Sequence, residues 1–146
     1  ELLPQSEIVT LHCPLTDGTK HLMDDERLGM MKRGAMLINT SRGALVDTAA
    51  LTRALEARQV GCVGMDVYEN EAGVFFSDAS INTDDMPGAS LTDGWDYGLS
   101  SLASRPNVIV TPHQAFLTQE ALSNIAHTTV ANLREFEGGQ ASYTNG

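Results

Sequence analysis

Short apolar runs alternate with helix signals along this chain, and that rhythm limits its fold more than any other feature. Four runs read as strands: residues 8–12, 35–40, 61–67 and 108–111. Nearly continuous apolar runs of this length suit strands buried in a parallel sheet. The first ends at Pro14, which has no N–H for a ladder. A helix is expected over 24–32, with Asp24, Asp25 and Glu26 in its first turn, where the helix dipole favours acids. Lys32 and Arg33 follow its end, and Gly34 is expected to close it. Asp47 is placed to cap a second helix reaching about residue 58, with Leu51, Ala54 and Leu55 on one face. Thr118 is placed to cap a long helix to about residue 136. There Leu122, Ile125, Ala126, Val130, Leu133 and Phe136 are expected to face inward, and Gly138-Gly139 ends the helix. Strand and helix in alternation imply an α/β fold with a parallel sheet and right-handed crossovers.

The rhythm breaks over about 72–106. That stretch holds Asp78, Asp84, Asp85, Asp93 and Asp96 among Pro87, Gly88, Gly94 and Gly98, without clear periodicity. It reads as a long solvated insertion, though long loops also serve as lids or subunit contacts. The 146 residues are 42% hydrophobic, enough for one modest core. No apolar run approaches the roughly 18 residues of a membrane span, and the first residues lack the basic and apolar regions of a secretory signal. A cytoplasmic location is expected. Cys13 and Cys62 read as reduced thiols, not as a disulfide or a metal site. The net charge of −10 argues against nucleic acid and anionic membrane as partners. An anionic cofactor stays open, because backbone donors and Arg42 act at short range.

The chemistry gathers just past the strands. Asn39-Thr40-Ser41-Arg42-Gly43 follows the second run, Asp66-Val67-Tyr68-Glu69-Asn70-Glu71 the third, and Pro112-His113-Gln114-Ala115-Phe116 the fourth. Ligands of open parallel sheets bind outside the carboxyl ends of the strands. Arg42, Glu71 and His113 therefore point to one site. A guanidinium fork suits a carboxylate, and a histidine titrates near neutral pH. A carboxylate beside the ring would orient it, a task for which Glu69 is almost as well placed as Glu71. No two candidate metal ligands sit at helical i, i+3 or i, i+4 spacing near a third. Ser41 lacks the Gly-x-Ser-x-Gly elbow of a nucleophile. His12, His21 and His127 read as structural or exposed.

Through these motifs, from Ser6-Glu7-Ile8-Val9-Thr10-Leu11-His12-Cys13-Pro14 to the helix ending near Glu137, the chain resembles the D-isomer-specific 2-hydroxyacid dehydrogenases. These NAD-dependent enzymes interconvert 2-keto acids and D-2-hydroxy acids. Tyr68-Glu69-Asn70-Glu71 followed by Val74-Phe75-Phe76, and His113-Gln114-Ala115-Phe116, are most similar to the fermentative D-lactate branch. The resemblance implies a Rossmann-like NAD-binding domain. Family members are roughly twice this length, with two domains, and their nucleotide fold opens with a Gly-x-Gly-x-x-Gly turn that cradles the pyrophosphate. No such turn occurs here. The chain begins at Glu1 and is expected to be a partial domain, the second half only, over 1–146. The first half and the substrate domain would belong to a longer parent, expected to be a homo-oligomer.

Reduction of a 2-keto acid requires that its carboxylate be held, its keto oxygen polarised and a proton delivered. By the resemblance, Arg42 does the first two and His113 the third, while Glu71, five residues beyond Asp66, orients His113. The resemblance also places Cys13 and Pro14 at the adenosine side of NAD, with Thr19 nearby. It puts Thr40 and Ser41 along the nicotinamide ribose, Asp66 at the carboxamide, and Phe116 in the wall of the substrate pocket. Two other readings remain open at this point. One is an NAD-sensing binding protein on the same scaffold, against which the Gln114-Ala115-Phe116 ending counts. The other is a dehydrogenase for a bulkier 2-hydroxy acid.

Overall fold

The computed structural model describes residues 2–71 and 96–138, so most of the expected insertion lies outside the described residues. The chain divides into two compact units, Glu1–His113 and Gln114–Gly146.

The first unit is built on four parallel strands in sequential order: β1 (Ile8–Leu11), β2 (Ala35–Asn39), β3 (Val60–Met65) and β4 (Val108–Val110). Leu11 pairs with Asn39, Asn39 with Met65, and Met65 with Val110. All four strands therefore end level, and the polar segments that follow them leave from one edge. Among the described residues, three α-helices accompany the sheet: α1 (Asp25–Met30), α2 (Thr48–Glu56) and α3 (Tyr97–Ala103). Asp24, Asp47 and Asp96 cap them by accepting from the third N–H along, each at 2.9 Å. Buried Leu28, Leu51, Leu55 and Leu102 join Leu37, Val60 and Val63 in one core. On the surface, Arg53 of α2 forks onto Asp25 of α1 at 3.0 and 2.6 Å. That bond and the neighbouring charge hold the Asp25 carboxyl below its ordinary value.

Strands in sequential order with like-handed crossovers put the helices between them on the same side of the sheet. The burial pattern follows from this. Val9, Leu11, Ala35, Leu37, Val63 and Met65 are buried, while Ile8 and Ile109 are 59% and 70% exposed. Met36, Ile38 and Cys62, between the buried positions, are half-buried. Among the described residues of this unit, one face of the sheet is covered.

Two expectations change. Helix α1 stops at Met30 with an extended cap at Met31. Gly34, expected to close it, instead makes the turn into β2 with a φ of +82°, a conformation that favours glycine. Helix α3 was not foreseen within the insertion. Both cysteines are half-buried and free. Among the described residues, no helix is long and apolar enough to cross a membrane.

The second unit holds α4 (Gln119–Glu137), capped by Thr118 Oγ1, which accepts from Ala121 N at 3.1 Å. The expected apolar stripe is present, but none of the helix's residues is buried. Among the described residues of that unit it is the one helix.

Candidate active site

The turn after β2 is shaped by Asn39. This buried side chain donates from Nδ2 to the Arg42 carbonyl at 2.9 Å and accepts from Ser41 N at 3.1 Å. Asparagine bonds readily to its own following backbone, which is why it sits at turns. Its carbonyl also accepts from Asp66 N at 3.0 Å, tying the exits of β2 and β3 together. Ser41 Oγ donates to the Cys13 carbonyl at 2.8 Å, which ties in the exit of β1. Arg42 is exposed, and its Nη1 donates to the Ser41 carbonyl at 2.7 Å. Among the described residues, the guanidinium pairs with no carboxylate.

Cys13 and Thr19 are half-buried, whereas Pro14, Gly18 and Thr40 are exposed. Thr19 Oγ1 accepts from Thr16 N at 2.7 Å and donates to the Pro14 carbonyl at 2.7 Å. Its hydroxyl thus shapes the loop that presents Cys13 and Pro14.

The turn after β3 is held by carboxylates. Asp66 is 3% exposed; its carboxylate accepts from the Thr111 hydroxyl, and its carbonyl accepts from His113 N at 2.7 Å. Glu71 Oε2 accepts from Tyr68 N at 3.1 Å, while its Oε1 lies 3.1 Å from His113 Nδ1. An ionised carboxylate can only accept, so Nδ1 carries the proton in that contact. Glu69 goes elsewhere. Its Oε1 lies 2.6 Å from His21 Nε2 and its Oε2 accepts from the Thr48 hydroxyl at 3.1 Å. The choice left open between the two glutamates has a geometric answer: Glu71 meets His113, and Glu69 meets His21.

Tyr68 and Asp96 were missed as parts of this network. Tyr68 OH donates to Asp96 Oδ1 at 2.8 Å, and Asn70 Nδ2 donates to Oδ2 at 3.3 Å. Burial, then the bond to Asp96, raises the Tyr68 pKa far above its ordinary value. Burial would raise the Asp96 pKa as well, but bonds from Leu99 N, Tyr68 and Asn70 outweigh it and hold the carboxyl below its ordinary value. The available signal was Asp96 standing before an apolar Tyr97, Leu99, Leu102 pattern, which marks a helix start. Arg42, Glu71 and His113 thus all follow level, neighbouring strands on one edge. Phe116 belongs to the second unit and is 53% exposed.

Comparison with known proteins gives consistent results. The family model described as D-isomer specific 2-hydroxyacid dehydrogenase, NAD binding domain, matches residues 1–115. The 2-hydroxyacid dehydrogenase A of Aspergillus oryzae is 50% identical over 138 residues, spanning 93% of this chain and 36% of that protein. The pyruvate reductase of Chlamydomonas reinhardtii superposes with a TM-score of 0.81 at 50% identity, over 92% of this chain and 39% of that one. D-lactate dehydrogenase from Aquifex aeolicus, solved with NAD and lactic acid, gives 0.76 at 35% identity, over 95% and 39%. The chain spans under two fifths of the length of these relatives, less than the half expected from sequence.

Proposed function

The chain belongs to the D-isomer specific 2-hydroxyacid dehydrogenases, as their NAD-binding domain, and from that premise we propose that the full-length protein containing it reduces pyruvate, or a similar small 2-keto acid, to the D-2-hydroxy acid. One observation carries the proposal. A histidine bonded to a carboxylate stands on the same sheet edge as an arginine that, among the described residues, pairs with no carboxylate. Arg42 receives the substrate carboxylate in a bidentate pair and leans on the keto oxygen with its charge. His113 holds its Nδ1 proton against Glu71, so exchange with the keto oxygen runs through Nε2.

The residues at this edge fit a nicotinamide dinucleotide. The exits of β1, β2 and β3 are bonded to one another through Ser41 and Asn39, giving a continuous floor beside buried Asp66. On this reading Cys13 and Pro14 contact the adenosine side, Thr40 and Ser41 the nicotinamide ribose, and Asp66 the carboxamide. Thr19 acts by fixing Pro14. Phe116 is assigned to the wall of the substrate pocket. The cofactor supplies hydride when bound in its reduced form.

The test is turnover by the purified full-length protein, with NADH, of pyruvate and of larger 2-keto acids, followed by chiral analysis. D-lactate from pyruvate is expected. L-lactate, or no turnover of any 2-keto acid, would discard the proposal. A strong preference for branched 2-keto acids would move it to the bulkier substrate class.

A further inference from the structure

Two histidines of the first unit hold left-handed backbone: His21 at φ +52° and His113 at φ +51°. That conformation is costly for a residue with a Cβ, and such residues cluster where the side chain is put to use. Both rings meet carboxylates of the same short turn. His113 meets Glu71, and two residues earlier His21 meets Glu69, at 2.6 Å. The function described above uses only the first pair.

The second pair bridges the two turns that carry the chemistry. His21 N donates to the Ala44 carbonyl at 2.8 Å, two residues past Arg42. Its ring reaches Glu69, two residues before Glu71. Glu69 is anchored on its other oxygen by the Thr48 hydroxyl at the start of α2. Beside this bridge, Gly43 lies against the backbone of Tyr68 and Glu69 so closely that a Cβ there would overlap them. The Arg42 turn and the Glu71 turn are thereby joined both by close packing and by the His21–Glu69 bond.

We propose that His21 and Glu69 are positioning residues for 2-keto acid reduction, fixing the spacing between Arg42 and the Glu71–His113 pair. The inference rests on the function proposed above. In a 2-keto acid the carboxylate and the keto carbon are directly bonded. The group that grips one and the group that protonates the other must therefore keep a set separation, and small misplacements are expensive in rate. The side chains of His21 and Glu69 are 36% and 32% exposed, so the pair adds little to global stability. Its loss should be read in turnover and not in melting.

The experiment uses the full-length protein with NADH and pyruvate. An inactive wild type would overturn the functional reading, and this inference with it. An active wild type isolates the inference. Glu69→Ala and His21→Ala are each expected to lower kcat about tenfold, with KM for NADH and the melting temperature near wild type. The double variant should be no worse than either single one, because both remove the same contact. Glu69→Gln keeps an acceptor for the ring and should restore most of the turnover. Unchanged kcat, losses that multiply in the double variant, or a Gln variant as poor as Ala would each overturn the inference. If the alanine variants fail to fold, the near-isosteric Thr48→Val loosens Glu69 more gently. A kcat about threefold lower is then expected, and an unchanged kcat overturns the inference.

Discussion

The turns after β2 and β3 solve different problems. The first is shaped by one buried side chain, Asn39, whose partners lie two and three residues away. It leaves Arg42, the group proposed to receive the substrate carboxylate, exposed and, among the described residues, without a carboxylate. The second is shaped by carboxylates whose partners lie far along the chain. Glu69 reaches His21 across 48 residues and Glu71 reaches His113 across 42. Tyr68 and Asn70 are bonded to Asp96, 28 and 26 residues on. On the proposed function, a group that grips an incoming anion is best left open. A proton donor is best fixed before the substrate arrives, because preorganisation is what makes its transfer efficient.

The largest effect should come from loosening the fixed side. Glu71→Ala in the full-length protein removes the acceptor at His113 Nδ1 and is expected to lower kcat about a hundredfold. Steady-state kinetics with pyruvate checks this; a loss of less than threefold would mean that the β3 turn does not orient the acid. Next is the open side. Arg42→Lys keeps the charge but loses the planar fork, and kcat/KM should fall about 10- to 100-fold. The melting temperature should not move, since the described structure engages this guanidinium only with its own neighbour's carbonyl. A clear loss of stability would show that Arg42 is structural and blur the contrast.

Asn39→Ala tests how the open side is shaped. It strips two bonds from a buried turn and should destabilise the protein by about 1–3 kcal/mol, measured by denaturant unfolding. A neutral result would mean that the turn is shaped by its glycine and not by Asn39. The smallest effect concerns pH. The Asp96 carboxyl is held below its ordinary value by the bonds it accepts. Its stabilising contribution is therefore complete above the unfolded carboxylate pKa of about 4 and is lost as pH falls through the lower, folded value. Asp96→Asn should leave a shallower decline of melting temperature below about pH 4. An identical acid slope in the variant would detach Asp96 from the β3 turn.

The same contrast explains what could be read in the sequence. Each strand ends within two residues of its expected end, and Asp47 and Thr118 cap as expected, because these signals are local. The place of Arg42 just past a strand was legible for the same reason: Asn39-Thr40-Ser41-Arg42-Gly43 contains its own turn. Residue-level reading could not separate Glu69 from Glu71, since spacing does not say which distant histidine each will meet. His21 passed as structural or exposed because its partner lies across the fold. The open face of the sheet was hidden too. A run such as Ile8–Leu11 is apolar at most positions whether one face or both are covered. Helix α3 went unseen because two turns give too few apolar repeats to stand out from an acidic stretch.

Gly43 shows a further consequence of joining the two turns by contact. The limit at this position is the approach of another stretch of backbone, so no rotamer choice could relieve it. In a library with position 43 fully randomised, active clones should carry glycine alone, whereas exposed Thr40, three residues earlier, should accept many residues for folding. Such a position resists gradual drift: to replace it, the opposite turn would have to change shape in the same step, so the two segments are inherited as one unit.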